Sequence, residues 1–266
     1  MPFFRDEPRS GFLIAHGGGT TGEDTARAFV ARAGGPAKLI FVLAQSNEDA
    51  AKKGAGSSEF LSKAGGARTV EAPPITRSDD PVIPELARRI AREAGGVWMP
   101  GGDQRRFLSV FARTPVPDAL RALLARGGAV GGSSAGAALL GEWMPTGDGD
   151  RTKLTRDNVQ TAPGLNLLPG FLFDTHFLAR ERMQRLVGMV LRQPGLVGVG
   201  VEQDGWAEVD RARGVLTVRA GQVVTVRAAG PVRTAGPLDP RLSCPDVRLR
   251  VLAPGESVPL EDLRRK

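Results

Sequence analysis

Cysteine and histidine are nearly missing from this chain of 266 residues: Cys244 is the only cysteine, and His16 and His176 are the only histidines. A single thiol closes no internal disulfide and builds no cysteine metal cluster, and two imidazoles leave too few soft ligands for a transition-metal site. No metal and no cofactor is therefore expected. Tyrosine is absent and aromatics make up only 5% of the residues, which removes the stacking platforms that single-strand nucleic-acid binders use. No apolar run approaches the roughly 20 residues needed to cross a bilayer. The opening residues Met1 to Glu7 lack a basic-then-apolar signal pattern. A cytoplasmic protein without a membrane partner is expected.

What remains is ordinary globular composition, 41% hydrophobic and 24% charged, enough to bury a full core. The formal net charge of +7 comes from arginines spread along the chain without a dense basic tract. It reads as a solvated surface first, with nucleic-acid binding the weakest of the functional ideas.

The first part of the chain alternates short apolar runs with amphipathic stretches, the pattern of a parallel sheet with crossover helices. Strands are expected at Gly11 to Ala15, Leu39 to Leu43, Gly96 to Met99 and Ala129-Val130. Helices are expected at Thr25 to Ala33, Glu48 to Lys63, Pro84 to Ala94, Asp103 to Ala112, Asp118 to Ala125 and from Ala135 to Leu140. Pro145 to Asp157 reads as a surface loop. Beyond about Val197 the pattern changes to short β-like runs, Val215 to Val218, Gln222 to Arg227 and Val247 to Val251. The expectation is one α/β domain over 1–266, a doubly wound and mostly parallel sheet flanked by helices. Residues 210–266 form its β-rich antiparallel extension.

Gly132-Ser133-Ser134-Ala135-Gly136 fits G-x-S-x-G, in which a serine sits on a sharp strand-to-helix turn between small neighbours. The strand before it and the helix after it supply the context that the bare pattern needs. Ser134 is the candidate nucleophile, and the N–H of Ala135 is a candidate donor to an oxyanion. The alternative is a Gly/Ser-rich turn, or an anion cradle without chemistry. A serine hydroxyl needs a base and a group that orients the base. His176 ends the apolar run Phe171 to Phe173 and is the better candidate, with His16, which also ends a strand, as its rival.

Four segments in order carry a family resemblance: Met99 to Gln104, Gly131 to Ala137, Asp174 to Leu186 and Gly198 to Gln203. With them the chain, from about Gly11 to Val209, resembles the cyanophycinase-like serine peptidases, which include the aspartyl dipeptidases called peptidase E. The resemblance implies a class I glutamine-amidotransferase-like α/β fold, Ser134 as nucleophile, His176 as base, and Gly102 with Ala135 as oxyanion donors. It places Gln104, Asp174, Arg180 and Arg182 along the substrate pocket, with Asp103 and Gln203 beside them, and leaves a homodimer open. Asp103 also reads as a helix N-cap, and Arg180, Arg182 and Arg185 as residues of the helix that follows the base.

Two positions depart from that pattern. Asp174-Thr175 stands where those relatives carry Asp-Gln, and Glu202-Gln203 where they carry Asp-Glu with the glutamate completing the triad. Glu202 is the narrow choice for the third catalytic residue, Gln203 follows closely, and Asp148, Asp150 and Asp157 are further options. The expected activity is a serine exopeptidase or dipeptidase acting on small peptides with an aspartyl residue at the scissile bond. Its rivals are a non-catalytic binding member of the same fold and an esterase or acyl transferase on this scaffold.

Overall fold

The computed structural model describes residues 10–147, 150, 153–158, 160–236 and 239–265. The N-terminal part runs β1 (Phe12–His16), α1 (Glu23–Arg32), β2 (Leu39–Val42), α2 (Ala50–Lys63), β3 (Thr69–Glu71), α3 (Ile83–Arg92) and β4 (Ala94–Met99). It continues with α4 (Gln104–Phe111), α5 (Val116–Ala125), β5 (Ala129–Ser133) and α6 (Ala135–Ala138). Next come β6 (Gly141–Pro145), β7 (Thr161–Pro163), β8 (Leu168–Asp174), α7 (Met183–Arg192), β9 (Val197–Val201) and β10 (Trp206–Asp210). The C-terminal part holds β11 (Val215–Ala220), β12 (Val223–Ala228), β13 (Arg233–Thr234), β14 (Leu242–Ser243), β15 (Val247–Leu252), β16 (Ser257–Pro259) and α8 (Leu260–Arg264).

Eight strands form the first sheet in the order β16-β11-β10-β1-β5-β4-β2-β3. Its β1, β5, β4, β2 and β3 are parallel, and β10, β11 and β16 add antiparallel to that edge. Strand alternation sorts the apolar residues onto two faces. In β1, Leu13 and Ala15 enter one core cluster, with Phe41, Val97 and Val130; Ile14 enters another, with Phe29, Trp98 and Ile40. Helix α3 shows why such segments become helices: Ile83, Leu86, Ala87 and Ile90 recur at one-face spacing and are buried, with Pro84 in the first turn.

The expected α/β sheet with antiparallel C-terminal strands is present, but a second sheet went unread. Six strands lie in the order β15-β12-β9-β8-β6-β7, with β6, β8 and β9 parallel. The C-terminal strands divide between the two sheets: β11 and β16 extend the first, β12 and β15 the second. Leu13 and Val130 of the first sheet share a cluster with Phe171, Phe173 and Val199 of the second, so the main core lies between the sheets. Strands β6 and β7 were hidden because Gly141–Pro145 and Thr161–Pro163 carry glycine and proline where alternation would show a strand. Of the expected loop after the elbow, Asp148, Gly149, Arg151 and Thr152 lie outside the described residues. Among the described residues no helix is long and apolar enough to cross a membrane.

The short α6 packs backbone to backbone on β4. A Cβ built on Gly136 would fall 1.8 Å from the carbonyl oxygen of Met99, with no flexible group able to yield. Gly136→Ala is therefore expected to cost about 3 kcal/mol or more by forcing α6 off the sheet. Urea denaturation followed by far-UV circular dichroism checks it; an unchanged midpoint would show that the backbone moves aside freely.

Candidate active site

The site lies where strands of both sheets end. Strand β5 of the first sheet stops at Ser133, and Ser134 turns the chain into α6 with φ 53° and ψ −112°. A non-glycine residue in that conformation costs about 1–3 kcal/mol, and its backbone N–H is held by the carbonyl of His16 at 3.0 Å. Strand β8 of the second sheet ends at Asp174, and two residues later His176 also has positive φ, 48°. Its N–H donates to the carbonyl of Gly17 at 2.6 Å, while the buried Phe177 ring beside it anchors the turn. These turns bring Ser134 Oγ to 3.0 Å from His176 Nε2.

The other ring nitrogen, Nδ1, lies 2.8 Å from Gln203 Oε1. An amide oxygen accepts, so Nδ1 carries the proton and Nε2 presents its lone pair to the serine hydroxyl. Burial holds the His176 pKa below its usual value, against the hydrogen bond that the ring donates to Gln203, and the charges of Arg180 and Arg182 lower it further. Glu202, the narrow choice from sequence, does not meet the ring. Its Oε1 accepts from the Gln203 backbone N–H at 2.8 Å. The chain turns immediately after β9, and neighbouring residues there point different ways. Asp150 pairs with Lys153 at 3.0 Å and Asp157 with Arg156 at 3.2 Å, while Asp148 lies outside the described residues.

His16 meets the serine next door. Its Nδ1 lies 3.2 Å from Ser133 Oγ and accepts from the Gly18 N–H at 3.1 Å. The ring is fully buried and its Nε2 has no hydrogen-bond partner among the described residues. Burial lowers its pKa from 6.5 to about 4, so it is neutral at physiological pH. Gly18 touches both histidines: with φ 89°, a Cβ there would lie 2.2 Å from His176 Nε2. Only a glycine lets this loop cross the imidazole face. The sequence shows the run Gly17-Gly18-Gly19 directly after β1 but not its contact with the second histidine.

The expected pocket residues divide. Asp174 is fully buried and gripped by Arg185, whose Nε donates to Oδ2 at 2.8 Å while Nη2 donates to Oδ1. Arg182 is buried too, and its Nη1 donates to the Thr175 carbonyl at 2.6 Å. Expected to line the pocket, Asp174 and Arg182 are instead spent inside the protein, bracing the turn that carries His176. Nor do Arg180 and Arg182 lie on the helix, since α7 starts at Met183 and only Arg185 belongs to it. Arg180 is exposed, with its charge felt by the His176 ring.

On the opposite side Asp103 caps α4, accepting from the Arg105 N–H at 2.8 Å, and Gln104 Nε2 donates to the Pro145 carbonyl at 2.5 Å. The strap Pro100-Gly101-Gly102 passes beside Ser134: a Cβ on Gly101 would lie 3.2 Å from Ser134 Cβ. Two residues that sequence reading missed hold this strap. Ser46 Oγ donates to Pro100 O at 2.9 Å, and Asn47 Nδ2 donates to Gly101 O at 2.7 Å. Both follow β2 in a loop with no motif of its own.

The buried His16 makes stability depend on pH. Between pH 6.5 and about 4 the unfolded chain binds the proton that the folded chain refuses. Stability therefore rises with pH across that window and is lost as pH falls through it, by about 3 kcal/mol in all. Urea titrations from pH 7 to pH 4 are expected to show this loss in the wild type and a shallower one in His16→Asn; equal slopes would contradict it.

The profile of peptidase family S51 matches residues 18–214, which include Ser134, His176 and Gln203. A cyanophycinase from Trichormus variabilis is 30% identical over 240 residues, 88% of this chain and 80% of its own length. A cyanophycinase from Synechococcus elongatus is 31% identical over 254 residues, 92% of this chain and 78% of its own length. The crystal structure of a peptidase from an acI-B1 Actinobacterium superposes with a TM-score of 0.65 at 17% identity, covering 95% of this chain and 98% of that one. At that identity the likeness establishes the shared α/β fold. The fold and the extent of the family match together show that this chain belongs to peptidase family S51, a family of serine-type hydrolases.

Proposed function

We propose that this chain hydrolyses small peptides with an aspartyl residue at the scissile bond, through an acyl-enzyme on Ser134. The observation that carries this reading is the relay Ser134 Oγ, His176 Nε2, His176 Nδ1, Gln203 Oε1, with separations of 3.0 and 2.8 Å at its two hydrogen bonds. His176 takes the serine proton as the hydroxyl attacks the peptide carbonyl. The backbone N–H groups of Ala135 and Gly102 stabilise the oxyanion. His176 then protonates the leaving amine, and a water activated by the same ring releases the acid.

Two things support the substrate class. The curated relatives are cyanophycinases, and the exposed cation Arg180 stands close enough to act on the His176 ring, where it favours a substrate carrying a carboxylate. A second reading has its own observation. Gln203 is neutral, so the imidazolium formed during attack lacks a carboxylate partner, which favours a slow enzyme or a member that binds peptide without cleaving it.

The test is amine release from an α-aspartyl dipeptide, a β-aspartyl-arginine polymer and a neutral dipeptide, with Ser134→Ala as control. Release that falls at least about a thousandfold in the variant is expected. No release from any of them, together with no labelling of Ser134 by a fluorophosphonate, selects the binding reading.

The acid limb of kcat/KM should lie below pH 6.5, since activity requires neutral His176, whose pKa is lowered from that value. Gln203→Glu puts a carboxylate on Nδ1–H, which raises the ring pKa and moves the limb upward while kcat rises. A limb that stays in place would remove Gln203 from the relay.

A further inference from the structure

At the other end of β9 from the catalytic turns, the outer strands of the second sheet and α8 line a shallow, open cleft. Its walls carry Arg227, Arg248, Arg250 and Arg265, with Thr225 and Asp262. The register explains the crowding. In the antiparallel pair β12 and β15, Thr225 stands opposite Arg250 and Arg227 opposite Arg248, so all four side chains share one face. Like charges placed directly opposite each other destabilise a sheet.

Arg265 has carboxylate partners, Asp262 at 3.2 Å and Glu261 at 3.3 Å. The others have none among the described residues: Arg227 donates to the Arg265 carbonyl and Arg250 to the Asp262 carbonyl, both backbone oxygens. Burial and the Arg248 charge together lower the Arg227 pKa, as expected of a cation short of a counter-charge. The cleft is separate from the hydrolytic site. Val197, at its rim, begins β9, and Gln203 follows the far end of that strand, roughly 15–20 Å away.

We propose that this cleft is a binding site for a phosphate-class oxyanion, inorganic phosphate or a small phosphate monoester, held by Arg227, Arg248 and Arg250. Guanidinium forks arriving from two strands match the oxygens of a tetrahedral dianion, and the anion supplies the charge that the Arg227–Arg248 pairing lacks. The inference is independent of the peptidase reading, since none of these residues approaches Ser134.

The experiment is titration calorimetry and thermal melting of the whole chain with sodium phosphate, and separately with glycerol phosphate, against sodium chloride at equal ionic strength. The expected result is saturable binding of one anion per chain and a rise in Tm that chloride does not reproduce. The tighter of the two arms identifies the source of the phosphate. Arg248→Gln and Arg250→Gln are each expected to weaken binding at least about tenfold, while Arg113→Gln, elsewhere on the surface, leaves it unchanged. Arg248→Gln should also raise the anion-free Tm by removing the like-charge pair, which separates loss of the site from loss of the fold. Phosphate and chloride acting alike, or binding that survives in both cleft variants, would overturn the proposal.

Discussion

The hydrogen bond between Ser134 and His176 joins two sheets. The serine leaves a strand of the eight-stranded sheet, and the histidine and its glutamine leave strands of the six-stranded one. The relay is therefore only as accurate as the packing between sheets, a layer of close-packed apolar side chains that includes Val130, Phe171 and Val199. Backbone hydrogen bonds stitch the seam where those side chains end: His176 N–H to Gly17 O at 2.6 Å, Gly17 N–H to Gly205 O and Asp204 N–H to Gly18 O, each at 2.8 Å. The glycine loop after β1 thus acts as a gasket between the sheets. Its lack of side chains is what allows the two halves of the site to meet.

Charge inside this seam is handled in two opposite ways. The histidines are kept neutral by burial. Asp174 is buried in company, with Arg185 on both carboxylate oxygens and Arg182 within 3.5 Å. A buried pair of this kind contributes little net stability over an apolar replacement, but losing one partner costs about 3–5 kcal/mol. Here it is also anchored to the Thr175 carbonyl through Arg182. The left-handed turn at His176 is thereby fixed from beneath by charges that have no exit to solvent.

Much of this was legible in the residues. The strand-to-helix alternation up to α6 carries periodicity strong enough to place most elements within about two residues, although the short β3 went unread and β5 runs three residues past its expected end, and Asp103 announced its cap. The chain order of Ser134 and His176 with their flanking segments pointed to one site. The second sheet was not legible, because β8 and β9 are so thoroughly buried that they show no alternation, and β6 and β7 are broken by glycine and proline. Side-chain direction at turns was not legible either. Glu202 and Gln203 are adjacent, and which of them faces the imidazole depends on where β9 stops. The role of Asp174 turned on Arg185, eleven residues on, whose grip holds its carboxylate fully buried.

The amide at position 203 changes the electrical character of the whole reacting assembly. With a glutamate there, attack on a neutral peptide would carry one negative charge throughout, as carboxylate at rest and as oxyanion beside an imidazolium–carboxylate pair at the summit. With Gln203 the assembly of the proposed reaction would be uncharged at rest and become a dipole at the summit, oxyanion at one end and imidazolium at the other. Arg180 and Arg182, which lower the His176 pKa, would penalise the imidazolium end of that dipole. A substrate that brings its own carboxylate would then serve as reagent and as counter-ion together, and the protein would delegate to the peptide the charge that it does not itself supply.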